Sequence, residues 1–143
     1  MNKEDHFKNL ELMYYKAPVN EFYKPEIFVK EGKCEIKVKV EKKFFHSGNF
    51  VHGSVIFKML DDSAYFAANS LEHEYFLVTT AFTTYITRPV STGFIKAYGT
   101  VVNKNKSQFI SEAVLYDSEE NEIARGSGVF VRSKLFINEV IDN

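Results

Sequence analysis

The stretch that decides the fold is HSGNFVHGSVIFKMLDDSAYFAANS, residues 46–70. A loop punctuated by glycine and asparagine runs into the longest helical pattern of the chain, and apolar residues occupy nearly every face of that helix. Such a pattern is typical of a helix at the centre of a core. Two carboxylates, Asp61 and Asp62, nevertheless lie in its middle. They point about 100° apart on a helix, so at least one lies near apolar neighbours, where a carboxylate is costly unless it has partners or a task.

Length and composition indicate a single domain, residues 1–143, that is long enough to bury a substantial core. The net charge of −1 and the lack of a basic helix argue against a nucleic-acid partner. The one cysteine, the polar N-terminus and the absence of an apolar run of about 20 residues predict a cytoplasmic protein with no membrane partner. His6 and His73 lack metal-ligand spacing with Cys34, so we expect no metal site.

The rest of the chain predicts a helix, a loop and a series of strands. Spacing of apolar residues indicates an amphipathic helix over residues 3–15, and residues 17–33 are expected to form a loop that can carry a short helical turn. A half-buried strand follows from Cys34, and a charged connector, Glu72 to Glu74, comes after the central helix. Four more strands are predicted at 76–89, 94–102, 108–117 and 122–132. The last eleven residues fit either a terminal strand or a turn of helix.

This order favours an α+β fold in which an antiparallel sheet of about five to six strands curls around the central helix. A sheet of this size cannot bury both faces, and its edges invite pairing with a second copy of the chain.

The central helix resembles the signature of the hotdog-fold acyl-CoA thioesterases of the PaaI-like, phenylacetate-pathway type. These enzymes have a histidine-glycine pair at the start of the helix and an acidic residue nine positions after the histidine, here His52, Gly53 and Asp61. The run TTAFTTYITRPV resembles the family's strand that ends in an Arg-Pro dipeptide, here Arg88-Pro89, and IARGSGVFVR is similar to its last strand. The resemblance implies a single hotdog domain, preceded in residues 1–33 by an N-terminal helix and a loop.

The resemblance implies hydrolysis of an acyl-CoA thioester to a free acid and CoA, with no cofactor beyond the CoA of the substrate. Asp61 would be the base or nucleophile, and the free N–H at the helix start, at Gly53, would stabilise the oxyanion. Eight residues separate the two, about 12 Å of helix rise, which is too far for one copy to serve a single carbonyl. In the family the site is shared between subunits, so a homodimer or homotetramer is expected.

Other candidate site residues follow from the same resemblance. His46 replaces an asparagine that many relatives carry six positions before the histidine, Asn49 lies three residues out of that register, and Thr79 keeps a hydroxyl that some relatives place eighteen positions after the acid. The predicted catalytic residues are Asp61, Gly53, His46 and Thr79. The predicted substrate-binding residues are His52, Asn49, Phe82, Arg88, Lys104 and Lys106.

Structural interpretations of these residues stay open. His46 is as easily a loop histidine without a role, His52 a residue that ties the loop by hydrogen bonds, and Thr79 an ordinary strand residue. Lys104 and Lys106 are either solvated turn charges or contacts to a CoA phosphate. Asp62 is expected to be a solvated or cap-bonded carboxylate.

Two other functions compete with thioester hydrolysis. One is a hotdog hydratase or dehydratase acting on acyl thioesters, against which the fifteen-residue spacing of His46 and Asp61 counts. The other is a non-catalytic acyl-CoA-binding module, against which the carboxylate at position 61 counts.

Overall fold

A computed structural model describes residues 2–142. Its helices are α1 (Lys3–Lys16), α2 (Asn20–Tyr23), α3 (Gly53–Asn69) and α4 (Ile137–Asp142). Its strands are β1 (Glu26–Lys30), β2 (Lys33–Lys39), β3 (Tyr75–Ile86), β4 (Phe94–Lys104), β5 (Phe109–Asp117) and β6 (Glu122–Phe136). All six strands belong to one antiparallel sheet in the order β1-β2-β4-β5-β6-β3.

The sheet curls around α3, which packs against all six strands and is buried along most of its length. This is the hotdog fold that the sequence predicted. The helix lies so close to the sheet that a Cβ atom at Gly99 of β4 would come within 2.1 Å of the Ser63 carbonyl oxygen. Position 99 therefore admits only glycine at this helix–sheet distance.

The N-terminal helix α1 is confirmed and docks on the core. Asn2 caps it by accepting a hydrogen bond from the Asp5 N–H, and its buried face includes Phe7, Leu10 and Tyr14. His6 is fully buried on the same face, where its Nε2 donates to the Asn69 carbonyl at the end of α3. Burial lowers the pKa of His6, so the ring is neutral at neutral pH and α1 docks without burying a charge.

In residues 17–33 the expected short helical turn is present as α2, but the prediction that the rest of this stretch is a loop was wrong, because it contains strand β1. Helix α2 and strand β1 lie within this stretch, and β1 pairs with β2 through a tight turn at Gly32, where φ is 72°. Ile27 and Val29 point towards the core and alternate with exposed residues. A five-residue strand between Pro25 and a glycine turn contains too few repeats of this alternation to be recognised in the sequence.

The connector after α3 is not simply a solvated charged segment. Glu72 is buried, accepts hydrogen bonds from the N–H groups of Glu74 and Tyr75, and pairs with Arg132 of β6 at 2.6 Å. The last residues were predicted to form either a terminal strand or a turn of helix, and both occur, since β6 continues to Phe136 before α4 begins. Within residues 2–142, none of the helices has the length and apolar character required to span a membrane.

Candidate functional site

One face of α3 runs antiparallel to the edge strand β3. Four of the predicted site residues lie along this seam, namely Gly53, Asp61, Thr79 and Phe82. Residues 53, 57, 61 and 65 recur at a spacing of four, which keeps them on one side of a helix. Their partners on β3 descend in order along the strand. A Cβ at Gly53 would lie 3.3 Å from Ile86, Phe57 stacks edge-on against Phe82 with centroids 5.6 Å apart, Asp61 bonds Thr79, and the Tyr65 hydroxyl donates to the Leu77 carbonyl.

Asp61 and Thr79 form the polar centre of the seam. The Thr79 hydroxyl donates to Asp61 Oδ1 at 2.9 Å, and both side chains are half-buried. A bulge in β3 between Thr79 and Ala81 interrupts the pairing with β6 directly beside this contact. Bulges re-aim side chains and are frequent beside active sites.

The Asp61 carboxyl has a raised pKa of about 6. Burial is the main cause, and the neighbouring Asp62 carboxylate adds to it, while the hydrogen bond from Thr79 and the charge of Lys58 act in the opposite direction. A carboxyl with this pKa is mostly ionised at neutral pH and is a stronger base than an ordinary aspartate, which suits proton transfer.

Asp62 differs from its prediction as a solvated or cap-bonded residue. Its Oδ2 accepts hydrogen bonds from the Tyr14 hydroxyl of α1 at 2.6 Å and from the Lys58 ammonium at 2.5 Å. The side chains of Lys58 and Asp62 are only 14% and 18% exposed. The reason is Tyr14 of α1, whose ring lies edge-on against Phe66 of α3 with centroids 5.1 Å apart and whose hydroxyl reaches Asp62.

A cavity of about 470 Å³ opens between α1, α3 and the first half of β3. Asp61 and Thr79 line its β3 side, and Tyr14, Lys58 and Asp62 line its α1 side. The remaining wall is largely apolar and consists of Met13, Ala17, Val19, Tyr65, Phe66, Phe76, Leu77 and Val78, with Asn20 beside them. An apolar cavity with a few polar groups is the usual form of a small-molecule site.

The start of α3 forms a second polar feature. His52 caps the helix, since its Nδ1 accepts a hydrogen bond from the Ser54 N–H at 3.0 Å. Within residues 2–142 the N–H of Gly53 has no hydrogen-bond acceptor, so it remains available at the positive end of the helix. The capping contact gives His52 a structural task, and its substrate-binding role stays a prediction.

The loop before α3 is a tight turn closed by its own backbone. The N–H of His46 donates to the Phe50 carbonyl, and the His46 carbonyl accepts from Asn49, which adopts a left-handed conformation with φ of 66°. The exposed His46 ring accepts a hydrogen bond from the Gly48 N–H and lies 6.4 Å from the His52 ring, centroid to centroid. These two residues therefore lie near the helix start and not beside Asp61.

Within one chain the candidate residues are spread along α3, which is about 25 Å long. His46, Asn49, His52 and Gly53 lie at its beginning and Asp61 and Thr79 near its middle. Lys104 lies at its far end, where Nζ donates to the Leu71 carbonyl at 3.4 Å.

The remaining candidates lie around these groups. Lys106 is exposed, and its carbonyl accepts a hydrogen bond from Arg132. Arg88 is exposed just after β3, with its N–H directed at the Ile123 carbonyl. Phe82 lies in the seam, where Gly126 and Gly128 leave room for its ring, because a Cβ at either glycine would come within 2.5 Å of it.

Sequence reasoning missed Tyr14, Asn20 and Lys58, which complete the cavity around the two aspartates. The spacing of four between Lys58 and Asp62 was a usable signal for their ion pair. The contribution of Tyr14 depends on how α1 docks and has no local signature. Among the described residues, no group of three or more His, Cys, Asp or Glu side chains is placed to hold a metal ion.

Residues 48–124, more than half of the chain, match the sequence profile of the thioesterase superfamily. No functionally curated protein matches the sequence significantly.

Several solved structures share the fold at low sequence identity. The E. coli PaaI protein from the phenylacetic acid degradation operon superposes with a TM-score of 0.85 and 19% identity, over 94% of this chain and 97% of that one. A thioesterase family protein from Silicibacter pomeroyi gives 0.80 and 18%, over 90% and 97%. A Streptococcus mutans protein bound to acetyl-CoA gives 0.71 and 15%, over 76% and 88%.

Proposed function

Since the chain belongs to the thioesterase superfamily, we propose that it is an acyl-CoA thioesterase in which Asp61 is the catalytic base or nucleophile. The observation that carries this proposal is the half-buried Asp61 carboxylate, bonded to Thr79 and lining an apolar cavity on the central helix. The acetyl-CoA bound to the Streptococcus mutans protein of the same fold supports the choice of CoA thioesters as substrates.

Hydrolysis needs a charged oxygen near the thioester carbonyl and a donor for the oxyanion that develops. With a pKa of about 6, Asp61 is about nine-tenths ionised at neutral pH. As a base it takes a proton from water while the water oxygen attacks the carbonyl carbon. The tetrahedral intermediate then collapses, the C–S bond breaks, and the Asp61 proton passes to the CoA sulfur.

If Asp61 acts instead as the nucleophile, the overall reaction is the same. The carboxylate attacks the carbonyl carbon, CoA thiolate leaves and takes a proton from solvent, and water hydrolyses the resulting anhydride. Both routes consume one water and yield an acid and CoA.

The oxyanion donor in this proposal is the N–H of Gly53 from a second copy of the chain. Within one chain, Gly53 and Asp61 are about 12 Å apart along the helix, so they do not reach the same carbonyl. Strand β3 is an edge of the sheet, and within residues 2–142 it pairs with β6 alone, which leaves one side of its backbone open to a second copy. Apolar side chains are exposed on both elements: Phe57 and Ile86 in the seam, and Val78 and Tyr85 elsewhere on β3. These features support a homodimer joined through β3.

The roles of the other candidates remain part of the proposal. Thr79 orients Asp61 and lowers its pKa, and His46, Asn49 and His52 belong to the helix-start region that would meet the partner's carboxylate. Phe82 would border the acyl group, and Arg88, Lys104 and Lys106 are exposed cations available to CoA phosphates.

The test is thiol release from a panel of acyl-CoA thioesters of different length, with Asp61→Asn as the inactive reference. Release from at least one thioester, lost in the variant, supports the proposal. Hydration of an enoyl-CoA without thiol release would instead indicate a hydratase, and acyl-CoA binding with neither reaction would indicate a binding module.

A further inference from the structure

The α1 side of the cavity has hydrogen-bonding capacity that the protein itself does not use. The Lys58 ammonium carries three N–H groups, and within residues 2–142 its only acceptor is Asp62 Oδ2. Its other neighbours are the rings of Tyr14 and Tyr23, whose centroids lie 5.2 and 5.0 Å from Nζ. The N–H groups not bonded to Asp62 therefore have only aromatic rings beside them, and within the described residues they have no oxygen or nitrogen acceptor.

One carboxylate oxygen beside this donor is also unused. Both hydrogen bonds to Asp62 go to Oδ2, so its Oδ1 accepts none from the described residues, and Oδ1 is not among the buried atoms. Asn20 lines the same cavity and is only 5% exposed. Its Nδ2 donates to the Tyr14 carbonyl at 2.7 Å, whereas its Oδ1 has no donor in the part of the chain that the structure describes. This oxygen is buried, so it is not itself exposed to a ligand in the cavity.

We propose that this end of the cavity, formed by Tyr14, Lys58 and Asp62, is a specificity subsite that selects acyl groups with an uncharged group able to donate and accept hydrogen bonds, such as a hydroxyl. The inference rests on the function proposed above, because it takes the cavity beside Asp61 as the acyl site. In this arrangement the thioester lies at the β3 side of the cavity, and the acyl group extends along the apolar wall to the α1 side.

Physical chemistry restricts what this end accepts. An alkyl end would cover the Lys58 N–H groups and Asp62 Oδ1 without bonding them, which costs their desolvation. A second carboxylate would face two aspartates and one lysine among the lining residues. An ammonium has no lone pair, so it could bond Asp62 but could not accept a hydrogen bond from Lys58. A hydroxyl can accept from Lys58 and donate to Asp62 at the same time.

The subsite also depends on α1. Tyr14 is the α1 residue that bonds Asp62, and α1 closes the cavity on this side. The length of the acyl group is therefore limited by a helix that comes before the residues matched by the superfamily profile, which begin at 48.

The experiment compares kcat/KM for matched acyl-CoA thioesters that differ only at the far end. Hexanoyl-CoA is compared with analogues hydroxylated on each of the last carbons of the chain and with adipoyl-CoA. We expect the best hydroxylated analogue to exceed hexanoyl-CoA by about tenfold or more, and adipoyl-CoA to fall below it. Equal or lower values for every hydroxylated analogue would overturn the inference.

Substitutions in the subsite test whether the preference for hydroxylated acyl groups arises there. Lys58→Met combined with Asp62→Leu replaces the half-buried ion pair by apolar groups, which folded proteins often tolerate. We expect the hydroxyl preference to disappear in this double variant. The matched control, Lys96→Met with Glu35→Gln, removes an ion pair on β4 and β2 outside the cavity and should keep it.

Two outcomes separate the inference from the proposed function. A preference that survives in the folded double variant contradicts the subsite, whereas failure to hydrolyse any thioester contradicts the thioesterase proposal itself. If the double variant does not fold, Lys58→Met alone is measured, since Asp62 then keeps its hydrogen bond from Tyr14. Loss of the preference in that variant supports the subsite, and its retention overturns it.

Discussion

Asp61 and Asp62 are adjacent in sequence, yet they have different partners and different tasks. Asp61 faces β3 and, among the described residues, bonds a single hydroxyl, so its carboxylate keeps an open oxygen beside the cavity. Asp62 faces α1, where Tyr14 and Lys58 bond one of its oxygens. The 100° turn between neighbouring residues of a helix is enough to separate a reactive carboxylate from a paired one.

We expect Asp61→Asn to lower kcat on hexanoyl-CoA by about 10²–10⁴-fold, because the amide cannot act as a base or nucleophile. The ionised carboxylate is also unfavourable in its half-buried site. Its folded-state pKa of about 6 lies above the ordinary value of 3.8, so its favourable contribution to folding is present at acid pH and lost as pH rises through about 6. The variant should therefore be more stable than the parent at neutral pH, by about 1 kcal/mol after screening by solvent.

Steady-state kinetics and thermal melts at acid and neutral pH measure both effects. Asp62→Asn is the matched comparison, and it should lose far less kcat on this unsubstituted substrate. Equal losses in the two variants would mean that the reactive carboxylate has been misassigned.

Thr79 gives a second prediction, based on pH. Asp61 acts in its ionised form, so kcat should rise with pH and reach half its plateau near the Asp61 pKa of about 6. The Thr79 hydroxyl stabilises the ionised form and lowers this pKa, so Thr79→Val should move the half-maximum to higher pH. Thr79→Ser keeps the hydroxyl and should leave the profile near that of the parent. An unchanged profile in Thr79→Val would exclude the hydrogen bond as a determinant of the rate.

At the level of single elements, the sequence predicted α3 and the four strands after it because each is long and strongly patterned. The short strand β1 was missed because Ile27 and Val29 are the only buried residues in its alternating pattern. Its strand conformation is stabilised by pairing with β2, which the local sequence does not reveal. The position of Asp61 on the helix could be predicted from the family register. The ion pair of Asp62 with Lys58 had a local signal in their spacing of four, but its hydrogen bond from Tyr14 could not be predicted, since Tyr14 is 48 residues away in sequence.

The start of α3 is an element-scale feature that can be tested at Gly53. A valine there would stand between the helix N–H and any bound carbonyl, so Gly53→Val should lower kcat by about a hundredfold. The fold should survive, because a Cβ would meet only the tip of the Ile86 side chain at 3.3 Å. Adding Ile86→Ala removes that contact. Turnover restored by the second substitution would place the damage in packing against β3 and not at the oxyanion donor.

The contact between α3 and β4 makes a prediction about stability. A Cβ at Gly99 would overlap the Ser63 carbonyl and force the helix away from the sheet. We expect Gly99→Ala to lower the free energy of unfolding by about 1–3 kcal/mol, as overpacking does elsewhere. Denaturant unfolding measures this, with Thr100→Ala at the next, exposed position as the control. A Gly99→Ala protein as stable as its control would show that the helix can move at little cost.

For the whole molecule, the proposal requires that one active site be built from two chains. If Gly53 and Asp61 act on the same carbonyl from different subunits, each defect can be complemented by the other chain. A mixed dimer of one Gly53→Val chain and one Asp61→Asn chain contains one site with both native residues and one site with neither. Such a dimer, isolated through two different affinity tags, should therefore have about half the parental activity, although each variant alone is nearly inactive.

The control is a doubly tagged Asp61→Asn dimer, which should remain inactive because no mixture of its chains contains the carboxylate. Light scattering establishes that the isolated species is a dimer or a larger even assembly. A mixed dimer as inactive as its parents would mean that the two residues belong to one chain or that one role is misassigned. A fully active monomer would exclude the shared site directly, since the length of helix between Gly53 and Asp61 leaves a single chain unable to supply both groups to one carbonyl.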